Sequence, residues 1–147
     1  MTDIKIRQLK SNDSEENILE LFNQLTERKH KRCYVAAIAY QEQCFSFVGA
    51  TDKNEILAFG ALVLKFSPSK GKHVGYIEDF ITHKDFRQQG IGTRLLQKLR
   101  KEANRIGLKE LFLTSKEERT EARRMYQEFG FQPVETDLFV LKIKQLC

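Results

Sequence analysis

Residues 87–93, with the sequence Arg-Gln-Gln-Gly-Ile-Gly-Thr, have the composition of a backbone anion-binding loop. Gly90 and Gly92 lack side chains, so the main chain can take positive φ and a ligand can approach its amides closely. A strand-like run precedes this loop, and a helix-patterned run begins near Ile91. The first amides of a helix lack intrahelical partners and lie at the positive end of its dipole. We therefore predict that this loop binds a phosphate group.

Two familiar nucleotide-binding loops are excluded by the sequence. The dinucleotide fingerprint G-x-G-x-x-G requires a third glycine, and Leu95 occupies that position. The GK[ST] ending of the P-loop is also absent. A pair of glycines can equally shape an ordinary turn between a strand and a helix, so the function depends on the surrounding motifs.

Three motifs in one order resemble the GNAT superfamily of acetyl-CoA-dependent N-acetyltransferases. Arg87, Gly90 and Gly92 match its Q/R-x-x-G-x-G/A signature. Residues 77–82 are similar to the strand that lines the cofactor, and residues 122–131 are similar to the terminal A-x-x-x-Y-x-x-x-G-F element. The order and spacing of three motifs are more specific than any one of them.

The resemblance implies the GNAT fold of the α/β (α+β) class, with about four helices around a central mixed sheet that is mostly antiparallel and has one splayed strand pair. The length of 147 residues predicts a single domain, residues 1–147. Two capping boxes are predicted to start helices, Asp13 with Glu16 and Ser115 with Glu118. Hydrophobic periodicity predicts strands over 4–9, 45–50, 56–66, 74–82, 110–114 and 136–143, a helix over 33–43, and a long helix that starts at Ile91 and ends at Gly107.

The resemblance also implies how acetyl-CoA binds as cosubstrate. The glycine loop would hold the pyrophosphate, and the pantetheine arm would pair with free backbone groups of the preceding strand. The implied cofactor-binding residues are Phe80, Ile81, Thr82, Arg87, Gln88, Gln89, Gly90, Ile91, Gly92 and Thr93.

Tyr126 matches the motif tyrosine, which implies that it hydrogen-bonds or protonates the departing thiolate; an unperturbed phenol pKa lies near ~10. By periodicity alone, Tyr126 would belong to an apolar helix stripe with Ala122, Met125 and Phe129. The family often has Asn seven residues before this tyrosine, and Arg119 stands there. A cofactor contact from that position is therefore not carried over.

Glu78 and Asp79 are the candidate proton acceptors, because an ammonium must lose a proton before its nitrogen can attack. Adjacent strand residues point to opposite faces, so at most one of the two is expected to face the cleft. Glu78 is preferred, and either a surface carboxylate or a water chain in its place remains an alternative. The three catalytic candidates are therefore Tyr126, Glu78 and Asp79.

The predicted reaction is direct acetyl transfer to a primary amine of a small molecule, without a covalent intermediate, because no cysteine lies in the motifs. Residues 77–79 and a Lys-rich loop are similar to glucosamine-6-phosphate N-acetyltransferases, so the acceptor could carry a phosphate recognised by Lys65, Lys70, Lys72 and His73. A protein or peptide acceptor is the alternative within this class. Two alternatives lie outside the acetyltransferase class: a non-catalytic acyl-CoA-binding protein, and a nucleic-acid-binding module that uses the basic cluster 28–32. This cluster can also be a solvated helix end.

Composition limits the remaining possibilities. The three cysteines are odd in number and lack CxxC spacing, and the three histidines form no H-E-x-x-H motif, so neither a disulfide framework nor a metal site is predicted. No apolar run approaches a membrane span, and no RRM or zinc-finger signature is present, so membrane and nucleic-acid partners are not expected. The protein is expected to be cytoplasmic, with a homodimer left open, and its net charge of +5 suits a polyanionic cofactor.

Overall fold

The computed structural model describes residues 3–26 and 29–144. This part of the chain forms β1 (Ile4–Gln8), α1 (Glu15–Leu25), α2 (Val35–Ala39), β2 (Cys44–Thr51), β3 (Ile56–Ser67), β4 (Lys72–Thr82), a 3-10 turn (Lys84–Phe86), α3 (Ile91–Ile106), β5 (Leu111–Phe112) and α4 (Thr120–Phe129). None of the described helices has the length and apolar character needed to cross a membrane. The chain divides into two compact units, Met1–Thr114 and Ser115–Cys147, which are described separately below. That they form the single predicted domain stays a prediction.

The first unit contains one sheet with the strand order β1-β2-β3-β4-β5. The first three pairs are antiparallel, and β4 pairs with β5 in parallel through Gly75 with Leu111 and Tyr76 with Phe112. This pairing ends at Tyr76, although β4 continues to Thr82. The predicted mixed sheet, mostly antiparallel and with an opening between one strand pair, is therefore confirmed.

Helices cover both faces of this sheet. The contacts of α1 are with β3 and β4, where Ile18 is fully buried, and α3 crosses β1 to β4, where Leu99 is fully buried. On β2, Val48 belongs to the core beside α1, whereas a Cβ added to its neighbour Gly49 would lie 3.3 Å from Ile91 of α3. Because neighbouring strand residues point to opposite faces, the two helices pack on opposite sides.

The predicted capping box at the start of α1 is wrong. Ser14 is the N-cap residue, and its hydroxyl accepts a hydrogen bond from the Asn17 amide at 3.1 Å. The Asp13 carboxylate instead accepts two hydrogen bonds from the Arg7 guanidinium, at 2.7 and 2.9 Å, and one from the Lys10 amide. Arg7 lies on β1. The Asp13 carboxylate that the local pattern assigned to the helix is therefore bound by a residue of the sheet.

The second predicted capping box is also wrong. α4 begins at Thr120 with Arg119 as its N-cap, and no side-chain capping bond is seen there in the described structure. Before it, the Arg119 amide donates to the Lys116 carbonyl and the Thr120 amide to the Glu118 carbonyl. A helix starting at Ser115 would have used the same backbone groups in its own hydrogen bonds. The tight turns satisfy these groups instead.

The helix predicted over 33–43 is shorter, because α2 ends at residue 39. The residues that follow belong to the sheet. Cys44 pairs with Val63, and the Leu64 amide donates to the Gln43 carbonyl at 2.8 Å. Pairing with β3 therefore ends the helical run.

The strand predicted over 136–143 is not formed, and residues 131–144 have no regular secondary structure. A strand exists only when a neighbouring backbone completes its hydrogen bonds. No described segment pairs with this tail, so its strand-like sequence forms no strand.

Of the basic cluster 28–32, Arg28 lies outside the described residues. Arg32 Nε lies 3.3 Å from Glu15 Oε1, and both side chains are largely exposed. An exposed ion pair next to a helix start favours the solvated-surface explanation of this cluster.

Candidate active site

A bulge interrupts the pairing of β3 with β4 at the predicted carboxylates. Phe59 pairs with Ile81, but Ala61 pairs with Glu78, so β4 has one residue more than β3 between these pairs. Asp79 has φ of 52°, in the left-handed region that Asp and Asn tolerate better than most residues. A left-handed residue inside a strand is the usual mark of such a bulge.

The bulge decides which face each side chain of β4 takes. Glu78 is opposite Ala61, which belongs to the core beside α1. The Phe80 ring lies on the other face, because a Cβ added to Gly60 would be 3.0 Å from it and 3.3 Å from Leu99 of α3. In a regular strand Glu78 and Phe80 would share one face. The regular alternation of β4 is therefore broken between Glu78 and Phe80.

Glu78 and Asp79 are exposed carboxylates without an ion pair or hydrogen bond to any described residue. Partial burial raises the pKa of Glu78, and the charge of the neighbouring Asp79 raises that pKa further. A carboxylate with a raised pKa binds a proton more readily at neutral pH than an ordinary glutamate. Glu78 thus has the electrostatic surroundings of a proton acceptor.

Two residues near these carboxylates were missed by the sequence reasoning. Ser46 pairs with Ala61, which in turn pairs with Glu78, so all three lie in one row of the sheet; Cys44 lies two residues before Ser46 on the same face. Burial raises the pKa of the Cys44 thiol, and the charges of Asp79 and Glu78 raise it as well. The Ser46 hydroxyl is buried without a hydrogen bond of normal geometry to a described residue, although it is close enough to Cys44 to oppose this rise. Strand pairing of the two hairpins was the signal that could have revealed this row.

The loop after β4 is fixed to its surroundings in the first unit. The His83 amide donates to the Leu57 carbonyl at 2.8 Å, and His83 Nε2 lies 2.9 Å from Glu20 Oε1 of α1. The Arg87 Nε donates to the Thr82 carbonyl at 3.1 Å. These contacts connect the loop between β4 and α3 to β3, α1 and β4.

The loop reaches α3 through two left-handed residues, Gln88 with φ of 62° and Gly90 with φ of 79°. A Cβ added to Gly90 would meet nothing within 4 Å, so glycine is needed there for its backbone conformation and the space above it is open. Within the described residues, the amides of Gln89 and Gly90 donate to no backbone carbonyl.

The start of α3 offers further amides. Gly90 is the N-cap, and the first helical hydrogen bond runs from the Arg94 amide to the Gly90 carbonyl at 3.0 Å. The amides of Ile91, Gly92 and Thr93 precede this bond, so they have no partner four residues back. No acidic residue lies in the first turn of α3. This arrangement can accept the oxygens of a phosphate group.

Tyr126 lies in the second unit, on α4, and is buried. Its ring contacts that of Phe131 edge to face, with 6.0 Å between centroids. Burial raises the pKa of the Tyr126 phenol, and the charge of Arg119 acts in the opposite direction. The phenol is therefore protonated at neutral pH, which is the form that can donate a proton.

Two of the four cations predicted to recognise a phosphate have other contacts in the structure. Lys70 Nζ binds Glu110 Oε1 at 2.9 Å, and Lys65 Nζ lies over the Tyr76 ring. Lys72 precedes Glu78 by six residues of extended strand, which corresponds to roughly 20 Å. The backbone of Lys72 is therefore well separated from that of Glu78.

A family model described as acetyltransferase (GNAT) family matches residues 12–131. Amino-acid acetyltransferases of Yersinia pseudotuberculosis are 30% identical to this chain over 79 residues, which are 54% of this chain and 17% of those proteins. The chain thus spans less than a fifth of the length of these relatives.

Solved structures share the fold at lower identity. Glucosamine-6-phosphate N-acetyltransferase from Arabidopsis thaliana superposes with a TM-score of 0.79 at 20% identity, over 95% of this chain and 98% of that one. An aminoglycoside N-acetyltransferase in complex with CoA gives a TM-score of 0.80 at 21% identity, over 97% and 96%. At this identity the likeness concerns the fold.

Proposed function

Because this chain belongs to the acetyltransferase (GNAT) family, we propose that it transfers the acetyl group of acetyl-CoA directly to a primary amine of a small molecule. The observation that carries this proposal is the anchored loop between β4 and α3. The loop presents consecutive amides without backbone partners at a helix N-terminus. It follows directly a strand whose last residues have no β5 partner in the described sheet.

In this proposal the loop and the end of β4 hold the cosubstrate. The amides at the start of α3 bind the CoA pyrophosphate, and the unpaired side of β4 beyond Tyr76 receives the pantetheine arm. Acetyl-CoA supplies the activated acetyl group. The proposed cofactor-binding residues are Phe80, Ile81, Thr82, Arg87, Gln88, Gln89, Gly90, Ile91, Gly92 and Thr93.

Glu78 is the proposed proton acceptor for the acceptor amine. Its raised pKa brings it closer to the pH at which an ammonium must be deprotonated. Asp79 adds a second negative charge beside it, which attracts a cationic substrate. Once the ammonium has lost a proton, the nitrogen forms a bond to the thioester carbonyl carbon, and the carbon–sulfur bond breaks.

Tyr126 is the proposed donor of a proton to the departing CoA thiolate. A buried phenol that is protonated at neutral pH supports this role. Cys44 is the one thiol near the carboxylates among the described residues, and its raised pKa keeps it protonated and poorly nucleophilic. Direct attack by the amine is therefore favoured over an acetyl-cysteine intermediate.

The central test is CoA release by the purified full-length protein with acetyl-CoA and a panel of amino acids, amino sugars, amino-sugar phosphates, aminophosphonates, polyamines and peptide N-termini. We expect turnover with a small amine and little with peptides. CoA binding without release from any acceptor would overturn the assignment of activity. Faster turnover with peptides would replace the small-molecule acceptor by a protein.

The role of Tyr126 is tested by Tyr126→Phe, with Tyr40→Phe as the matched control on an exposed residue. Loss of the phenol proton should lower kcat by roughly 10²-fold or more, the range of general acid catalysis, with little change in CoA affinity. Equal kcat values for both variants would remove Tyr126 from the mechanism. Mass spectrometry of the enzyme with acetyl-CoA alone should show no acetylated Cys44.

We also infer a reducing compartment, the cytoplasm. Cys33 and Cys44 are free thiols, and free cysteines persist where disulfides are kept reduced. Fractionation of the source cells checks this inference, and recovery from an oxidising compartment would contradict it.

A further inference from the structure

The side of α3 next to β1 carries a row of three cations. Glu102 is the one carboxylate in the sequence of α3, and it forms an ion pair with Arg105. Arg94, Lys98 and Lys101 have no ion pair with a residue in the part of the chain that the structure describes. Their spacings of four and three residues place them in one row, where like charges destabilise a helix. An anion bound along this row would remove the repulsion.

The row forms one wall of a groove between α3 and β1. The groove is lined by residues 3–6 and by the row together with Gln97, and its volume is about 530 Å³, a size typical of small-molecule sites. Ile4 and Ile6 contribute apolar surface, and Asp3 is the one carboxylate among the described lining residues. All of these residues belong to the first unit, and β1 lies at the edge of its sheet opposite β5.

Two of the three cations are positioned by contacts within the first unit. Arg94 Nη2 donates to the Ile4 carbonyl at 2.6 Å. This bond takes one of the five N–H donors of the guanidinium, so others remain for an anion. Lys98 Nζ lies 5.9 Å from the centroid of the Phe47 ring of β2, within cation–π range. Side chains that are already ordered lose less conformational entropy when a ligand binds.

The geometry of the row indicates the class of ligand. Arginine binds phosphate and carboxylate groups through two parallel hydrogen bonds, and lysine binds them as a point charge. Between residues 94 and 101 the helix rises about 10 Å, so a ligand that contacts both ends of the row needs more than one anionic group. The bond from Arg94 covers a backbone carbonyl of β1, which opposes the addition of a peptide strand at this edge. A small ligand therefore suits the groove better than an extended peptide.

We propose that the groove between β1 and α3 binds a small polyanion with two or more phosphate or carboxylate groups. Arg94, Lys98 and Lys101 bind the anionic groups, and Ile4 and Ile6 contact the rest of the ligand. The Arg94 side chain bonds to β1, so the site is separate from the glycine loop that precedes α3. This inference does not depend on acetyl transfer.

Calorimetric titration of the full-length protein with inorganic tripolyphosphate and with citrate measures the site directly. Binding is expected, and it should weaken as salt is added, because salt screens exposed charges. Tighter binding of tripolyphosphate would identify phosphate groups as the recognised chemistry, and tighter binding of citrate would identify carboxylates. Binding of neither probe would overturn the proposal.

The double variant Lys98→Gln/Lys101→Gln tests the row, with Lys53→Gln/Lys109→Gln as the matched control. Both variants lose two positive charges, and Lys53 and Lys109 are exposed residues outside the groove. Loss of hydrogen bonds to a charged group should weaken probe binding by roughly tenfold or more in the groove variant. The control should bind as the wild type does. Equal weakening in both variants would show that only net charge matters and would contradict a site.

Backbone amide shifts of the isotope-labelled wild-type protein locate the probe without any substitution. Tripolyphosphate should shift the amides of residues 4–6 and 94–101, and shifts confined to residues 88–93 would place it in the glycine loop and overturn the proposal. CoA should leave residues 4–6 unshifted. If CoA shifts them, the groove belongs to the cosubstrate site and no separate site exists. A protein that binds no CoA would still show the tripolyphosphate shifts, so this proposal and the proposed function fail separately.

Discussion

Two glutamates at different points along β4 have opposite electrostatic surroundings. Glu110 accepts a hydrogen bond from Lys70, which lowers its pKa, and the charges of Lys70 and Lys72 lower that pKa further. Glu78 has no ion pair among the described residues, and burial together with Asp79 raises its pKa. Glu78 lies in β4, and Glu110 directly precedes β5 of the same sheet. The difference in pKa therefore comes from the neighbouring residues.

The difference separates a structural charge from a reactive one. At the hairpin end, cations neutralise Glu110 and tie the turn to the start of β5. At the bulge end, partial desolvation and the like charge of Asp79 favour the neutral form of Glu78. The bulge at Asp79 lies in the part of β4 that has no β5 partner in the described sheet.

The contrast between the two glutamates is tested most directly by replacing each of them with glutamine in turn. Glu78→Gln cannot accept a proton, so kcat/KM should fall about 100-fold, at the low end of general base catalysis. Glu110→Gln should leave kcat/KM unchanged, because its carboxylate is paired outside the proposed site. Initial rates of CoA release measure both. Equal effects of the two substitutions would mean that the pKa difference has no catalytic consequence.

Gly75→Ala tests whether the hairpin end is structural. A Cβ at this residue would lie 2.7 Å from Leu111 Cδ2 and 2.9 Å from Leu108 Cδ1, so the β4–β5 junction must shift. Overpacking of this kind costs about 1–3 kcal/mol of unfolding free energy, measured by urea denaturation. Gly49→Ala is the control, because its contacts are no shorter than 3.3 Å, and it should cost less. If the acid limb of the pH–rate profile moves in Gly75→Ala, the two ends are not independent.

Gly90→Ala sharpens the comparison at the bulge end, where the loop continues from β4. Gly90 has φ of 79° and Gly107, which ends the same helix, has φ of 94°. Alanine at either residue costs roughly 1–2 kcal/mol of backbone strain, so both variants should lose similar stability. Only Gly90→Ala should weaken CoA binding, measured by calorimetry, because its loop presents the amides. Unchanged CoA affinity in Gly90→Ala would contradict the proposed pyrophosphate site.

Asp79→Asn should give the smallest effect, a shift of the pH profile. The Asp79 charge raises the pKa of Glu78, so its removal lowers that pKa. Glu78 then stays deprotonated to lower pH, and the acid limb of kcat/KM moves to lower pH. Asn tolerates the left-handed conformation of this residue, which preserves the bulge. The exposed Asp52→Asn should leave the limb in place, whereas a shift to higher pH in Asp79→Asn would contradict the assignment.

Local patterns in the sequence were sufficient for most of the first unit. The alternation of β1, the two hairpins and the apolar stripe of α3 depend on residues a few positions apart, and the structure has them where they were predicted. Gly107 ends α3 with the left-handed conformation expected of a C-terminal glycine. The sheet class and its opening followed from the motifs that resemble the GNAT family.

Interactions between distant elements decided what the sequence alone could not. Arg7 of β1 takes Asp13 from the predicted capping box, and the register between β3 and β4 creates the bulge at Asp79. The same register places Ser46 in the row of Glu78. Periodicity describes one segment at a time, whereas ion pairs, register and desolvation depend on which segments meet. The sequence by itself therefore determined the elements and the glycine loop, and tertiary packing decided the surroundings that make Glu78 unlike Glu110.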